Sequence, residues 1–192
     1  MLLYNNLALF ARSLKEEPKM KILIAYASVT GCSRECAGIL ADKLSPREVH
    51  VVDLNVSFPD PADYDVVVLG APVRMGRMHK KFREYIKANR EMLKEGKYGF
   101  FVCGALPDEA ESNIKKAIGK ELFEGAFEIE YFGGEMKVEK QKGLISKLFV
   151  KSVRNKAHES QEPGYEGEMI LLPEILPENI ARFADTVKAI NA

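Results

Sequence analysis

The hexapeptide Ser28-Val29-Thr30-Gly31-Cys32-Ser33 gathers three hydroxyls and a glycine, with no acidic side chain among them. It follows an apolar run (KILIAYA, residues 21–27) and leads into residues 33–44, whose apolar positions recur at helical spacing. Hydroxyls, backbone amides and the positive end of a helix dipole make a cradle for a phosphate-sized anion. The plain alternative is a serine-rich helix cap, but one hydroxyl is enough for a cap and this loop supplies three. Two other phosphate loops fail on their own terms. A Walker loop needs Gly-Lys followed by Ser or Thr, whereas Gly96-Lys97 precedes Tyr98 and Gly119-Lys120 precedes Glu121. The dinucleotide fingerprint needs three spaced glycines and this loop carries only Gly31, so Asp53 reads as a strand-end residue rather than a ribose ligand.

Other chemistry is excluded by what is missing. The three histidines and three cysteines are scattered with no zinc spacing, so no metal is expected. Cys32 and Cys36 lie one helical turn apart and, with Cys103, read as structural. No Gly-x-Ser-x-Gly elbow is present. A phosphorelay receiver would need paired acids after the first strand and an Asp after the third, where this chain has Ser28-Val29 and Gly70-Ala71.

Positioning the cradle requires a sheet. Continuous apolar runs at 21–27, 66–70 (VVVLG) and 98–104 (YGFFVCG) predict strands buried on both faces, with further strands at 48–54 and, more polar and at an edge, 127–132. Helical patterns at 33–44, 80–93, 109–122 and 177–190 alternate with them. Strand–helix alternation implies right-handed crossovers around a parallel sheet. Five strands in 192 residues fit an α/β, doubly wound order 2-1-3-4-5 with helices on both faces. Ligands then bind beyond the carboxyl ends of the strands, in the loops after Ala27, Gly70 and Gly104.

Within that frame, Ser28-x-Thr30-Gly31-x-Ser33 after a hydrophobic first strand resembles the S/T-x-T-G-x-T/S phosphate loop of flavodoxins, from about Met20 onward. The resemblance implies FMN, with its phosphate on Ser28, Val29, Thr30, Gly31, Cys32 and Ser33. The loop after the third strand (GAPVRMGRMH, residues 70–79) is similar to the Gly-Ala-x-x-Arg-x-Gly-x-x-His loop of the flavodoxin-like menaquinone-dependent protoporphyrinogen dehydrogenases, matching at Gly70, Ala71, Arg74, Gly76 and His79. That places the flavin ring between Ala71, Pro72, Val73, Arg74, Met75 and Gly76 on one side and Cys103, Gly104, Ala105 and Leu106 on the other. Arg74 would balance charge on reduced flavin or bind a substrate carboxylate. For His79 the simpler role, starting the next helix, is preferred. Electron-carrier flavodoxins usually stack an aromatic on the flavin and are acidic; neither loop here has an aromatic, and the chain is neutral. The resemblance therefore implies an enzyme that oxidises a protoporphyrinogen-like substrate and passes electrons to a quinone. A flavodoxin-type electron carrier serving a redox partner protein and a nicotinamide-dependent quinone reductase are the alternatives.

The composition agrees with a globular domain. Cations and acids balance at 28 each, which gives no global basic field for nucleic acid. No uncharged stretch approaches the roughly 18 residues of a membrane span. Three cysteines make no disulfide framework, so a cytoplasmic setting is the default. Residues 1–19 read as an N-terminal extension before a domain of residues 20–192, and they lack the features of a signal peptide. Leu3, Leu7, Phe10 and Leu14 share a helical face there, which packs on the body or, alternatively, on a second subunit in a homodimer or on a membrane. Residues 137–167 are a basic insertion. Residues 137–156 carry seven cations and one acid, Glu139. Leu144, Ile145, Leu148, Phe149 and Val153 form one stripe, with Lys147, Lys151 and Arg154 opposite. Such a helix either covers the core or docks peripherally on an anionic membrane. Residues 158–167 read as a loop over the flavin edge.

Overall fold

The apolar runs at 21–27, 66–70 and 98–104 become the three central strands of one sheet. A computed structural model describes residues 20–105, 107–137, 139–140, 143–162 and 171–190, without the side chains of residues 145, 146 and 149. Its strands are β1 (Lys21–Tyr26), β2 (Glu48–Asp53), β3 (Val66–Arg74), β4 (Arg77–Met78), β5 (Lys97–Cys103) and β6 (Ile129–Tyr131). Five of them run parallel in the order β2-β1-β3-β5-β6, and β4 pairs antiparallel with β3. This is the expected doubly wound order, with the polar fifth strand at an edge.

Alternate residues of each buried strand feed two cores. Leu23, Ala25, Val67, Leu69, Phe100 and Val102 face α2 (Lys80–Ala88), α3 (Arg90–Glu95), α4 (Ala110–Ile118) and α5 (Lys120–Gly125). Ile22, Ile24, Val66, Val68, Phe101 and Cys103 face α1 (Cys32–Leu44) and α7 (Pro177–Ala189). On that second face Phe101 stacks on Phe132 at 4.7 Å, and Phe183 of α7 meets Phe132 edge-on at 5.4 Å. Gly70 is needed beneath them, because a Cβ there would lie 1.9 Å from the Phe101 ring. After β6 the chain pairs with the lead-in to α7: Gly134 N donates to Glu174 O and Leu176 N to Phe132 O.

Several expected boundaries move. The strand expected at 66–70 continues to Arg74, because β1 stops pairing with it at Gly70 while β5 pairs on to Cys103. Beyond Gly70 it has one parallel neighbour, so Pro72 sits in an edge-like stretch where a missing N–H is tolerated. The helix expected at 80–93 breaks at Asn89 (φ −114°, ψ 17°) into α2 and α3. That expected at 109–122 breaks at Gly119, whose φ of 84° no helix accommodates, into α4 and α5. The basic insertion forms α6 (Leu144–Glu159), and among the described side chains the expected stripe is only partly inward. Val150 and Ala157 are buried, Val153 is half-buried, and Leu144 and Leu148 are exposed. Residues 158–162 are the end of α6 and a turn rather than a loop, while 163–167 and the N-terminal extension 1–19 lie outside the described residues.

Candidate functional site

At the carboxyl end of β1 the chain turns through Gly31 (φ 97°) directly into α1. An ideal Cβ at Gly31 would meet nothing within 4 Å, so the turn borders open space. The α1 N-terminus has no side-chain cap. Ser28 Oγ instead accepts a hydrogen bond from Gly31 N (3.0 Å), which closes the turn. Ser33 is 1% exposed, and its Oγ has no hydrogen-bond partner among the described residues. A buried hydroxyl of that kind costs on the order of 1–3 kcal/mol unless a ligand satisfies it. Uncapped helix amides and an orphaned hydroxyl thus occur together in the first turn of α1, the kind of donor set an anion needs.

Two cavities meet at Val29 and Thr30. One, of about 560 Å³, is lined by Ser28, Val29, Thr30, Gly31, Arg34, Asp53, Asn55 and His79. Asp53 there is tied to Arg34 (3.3 Å) and to Asn55, and His79 Nδ1 caps α2 by accepting from Lys81 N (3.2 Å). Burial holds the His79 imidazole below its ordinary range. The other cavity, of about 660 Å³, is walled by three loops. Val29, Thr30 and Cys32 come from the first, Pro72, Val73, Arg74, Met75 and Gly76 from the second, and Cys103, Gly104 and Ala105 from the third. Both volumes are in the range of small-molecule sites.

The second loop is a hairpin between β3 and β4, turned by Met75 (φ 50°) and Gly76 (φ 69°). Two consecutive positive φ values are what the tight right-twisting hairpin requires. Met75 stands wholly exposed at its tip, with Arg74 beside it. Ser33 and Ala71 are buried and line neither cavity; Leu106 lies outside the described residues.

The structure also brings in residues the sequence did not mark. Tyr131, Gly134, Glu135, Met136, Glu109, Val150 and Val153 all line the larger cavity. Tyr131 supplies an aromatic that neither loop carries. Its hydroxyl donates to Gly104 O (2.6 Å), and burial pushes its pKa up to about 12. Glu109 and Glu135 set carboxylates in the same wall as Arg74. Glu135 is bound by Lys137 and by Lys140 (2.8 Å).

Burial alone would raise the Glu135 pKa, but the two lysines outweigh it and hold it below the ordinary carboxylate range. A carboxylate lowered in the folded state stabilises above its ordinary value and loses that contribution as pH falls through the lowered one. Glu135→Gln is therefore expected to cost about 1 kcal/mol at neutral pH. Urea unfolding at stepped pH should show wild type and variant converging as the pH falls below the ordinary carboxylate range. A gap that does not change with pH would mean that packing, not charge, holds this segment.

Three thiols also converge beneath the cavity. The sulfurs of Cys32, Cys36 and Cys103 lie within 4.8 Å of one another. Cys103 Sγ donates to Cys36 Sγ (3.7 Å), and Cys36 Sγ to Phe132 O (4.0 Å). Interaction with the Cys103 and then the Cys36 thiol pulls the Cys32 pKa down against the effect of burial, while interaction with Cys32 and Cys36, together with burial, pushes Cys103 up.

Among the described residues, no helix is long and apolar enough to cross a membrane. The sequence profile of the flavodoxin domain matches residues 23–163. Over 85 residues the chain is 33% identical to the protoporphyrinogen IX dehydrogenase (quinone) of Escherichia coli strain K12. That match covers 43% of this chain and 47% of the relative, so it spans about half the relative's length. Among solved structures, the rubredoxin oxygen:oxidoreductase of Desulfovibrio gigas superposes with a TM-score of 0.50 at 13% identity, over 98% of this chain and 42% of that one. The flavodoxin of Fusobacterium nucleatum bound to flavin mononucleotide gives 0.48 at 12% identity, over 88% and 97%.

Proposed function

The chain belongs to the flavodoxin domain family, and from that premise we propose that it is an FMN-dependent oxidoreductase acting on a protoporphyrinogen-like substrate with a quinone as acceptor. The observation that carries the cofactor is the buried, unpartnered Ser33 Oγ at an uncapped helix N-terminus. On this reading Ser28, Thr30, Ser33 and the backbone of 29–33 hold the phosphate. Pro72–Gly76 and Cys103–Ala105 flank the ring, with Tyr131 at the cavity wall. Bound there, FMN would supply the redox chemistry. Arg74 presents a cation at the cavity mouth, where it holds a substrate carboxylate or offsets charge on the reduced cofactor. Val150 and Val153 of α6 wall the cavity with apolar surface and exclude water on that side.

The experiment is an anaerobic titration of FMN-loaded protein with protoporphyrinogen, then menadione. Loss and recovery of the flavin's visible absorbance is the expected result. A flavin that stays oxidised overturns the dehydrogenase reading in favour of a carrier or a nicotinamide-dependent quinone reductase.

A quinone acceptor also suggests where the protein works. Leu144, Lys147, Leu148 and Lys151 are all exposed on α6, within about 100° of one another around the helix. Exposed leucines between lysines suit an anionic membrane surface. The protein should sediment with anionic vesicles at low salt and not at high salt or with neutral lipid. Replacing both Lys147 and Lys151 by Glu should weaken that binding by roughly 30-fold or more, at about 1 kcal/mol per lysine. No binding at any salt concentration would exclude the membrane contact.

A further inference from the structure

Cys32 and Cys36 occupy successive turns of α1, and Cys103 ends β5. The helix spacing points two sulfurs at the sheet, and the β5 register brings the third beside them. The residues are 6%, 0% and 1% exposed respectively, and the three sulfurs fall within 4.8 Å of one another. Thiols used only as small apolar filler have no reason to converge in this way.

The spacing matches a metal. Thiolates bind zinc at about 2.3 Å, so two sulfurs on a tetrahedral ion stand about 3.8 Å apart and on a trigonal one about 4.0 Å. Cys36 and Cys103 are already at 3.7 Å. The remaining separations need to close by no more than roughly 1 Å to reach the same geometry. A disulfide between Cys36 and Cys103 fits less well. It would need the sulfurs at about 2.0 Å and would leave the third thiol without a part.

We propose that Cys32, Cys36 and Cys103 form a binding site for a soft divalent d10 metal ion of the zinc or cadmium class, with a fourth ligand from the cavity. Hard ions require oxygen ligands and are excluded by an all-sulfur set. On binding, three S–H bonds break, three metal–sulfur bonds form and three protons leave to solvent, with no change of oxidation state. The product carries one negative charge, which the α1 N-terminus stabilises. A monovalent ion would leave two in the same buried place, which is why the divalent class is favoured. Cys32 and Cys103 line the larger cavity and Cys36 lies behind them. The ion therefore enters from the cavity, and a water there completes a tetrahedron. Three protein ligands with one open position is an arrangement zinc adopts in catalytic sites. The three sulfurs carry this inference without FMN binding, and a flavin in the same cavity would compete with the ion for its open position.

The test is titration of the reduced full-length protein with cadmium chloride under anaerobic conditions, in the absence of added FMN. One equivalent should saturate a thiolate-to-cadmium charge-transfer band, and zinc should displace it. Cys36→Ser and Cys103→Ser should each weaken binding by more than the roughly 10–100-fold typical of outer-shell partners. Circular dichroism checks that the metal-free variants fold. A second readout does not depend on variants: bound cadmium should slow the reaction of all three buried thiols with a thiol reagent relative to the metal-free protein. A band that fails to appear with excess cadmium, binding unaffected by both substitutions, or protection of fewer than three thiols would each overturn the proposal.

Discussion

Thr30→Asp is expected to abolish retention of FMN, and Ser33→Ala to weaken it by roughly 10–100-fold while leaving the FMN-free protein at least as stable. The two substitutions act on one anion site by different physics. Thr30 lines both cavities where they meet. A carboxylate there faces the phosphate, and like charges about 4 Å apart at an effective dielectric near 20 repel by about 4 kcal/mol, on the order of a thousandfold in affinity. Ser33 is subtler. Its hydroxyl is buried with no partner among the described residues, so without ligand it contributes only its desolvation cost. Alanine removes that cost, and stability should hold or rise. With ligand the same substitution forfeits a hydrogen bond to a charged group, worth about 1.5–3 kcal/mol. Fluorescence titration with FMN and urea unfolding of the FMN-free protein read the two halves separately. A Ser33→Ala protein that loses stability but binds FMN normally would make Ser33 a packing residue and remove the anion argument. Normal retention by Thr30→Asp would take the whole loop out of the site.

The parts of this protein legible in its sequence are those where one physical signal dominates. KILIAYA, VVVLG and YGFFVCG bury both faces, so continuous apolar runs mark them as central strands, and the order of the sheet follows from alternation with helices. The cradle is legible because its residues are contiguous. Where the signal is divided, the sequence under-determines the outcome. Residues 144–157 of the basic insertion carry apolar side chains around most of the helix, so the pattern does not single out one inward face, and the burial of Val150 and Ala157 is set by the neighbouring surface. Helix breaks at Asn89 and Gly119 depend on single backbone angles inside otherwise amphipathic patterns. Tyr131 and Glu135 leave a three-residue edge strand, too short for its pattern to say which way they face. The thiol cluster is furthest from view: Cys36 and Cys103 are separated by 67 positions and meet only through the sheet register.

Gly134→Ala is expected to cost about 3 kcal/mol, a fall of roughly 6–12 °C in melting temperature, and to weaken FMN binding with it. A Cβ at position 134 would lie 1.9 Å from Gly104 O and 2.7 Å from its carbonyl carbon. Both are backbone atoms, so no rotamer change relieves the overlap. Nor can either segment step aside freely. Gly104 N donates to Gly133 O (3.0 Å), and Gly104 O accepts from Tyr131 Oη (2.6 Å). On the other side Gly134 N is held by Glu174 O (3.0 Å). The overlap must therefore break one of these bonds or push the Gly104 loop toward the hairpin that faces it. Gly104 and Gly134 both line the larger cavity, so the displacement reaches the surface proposed to flank the flavin ring. Gly104→Ala is the control, since its Cβ would rest 3.6 Å from Val73 in ordinary contact. That variant should unfold within about 0.5–1 kcal/mol of wild type, the loss of glycine's freedom being small and favourable. If the two variants melt together, the 132–134 segment is not what fixes the Gly104 loop. If only Gly134→Ala falls and FMN affinity falls with it, the close backbone approach after β6 is what holds the cavity in shape.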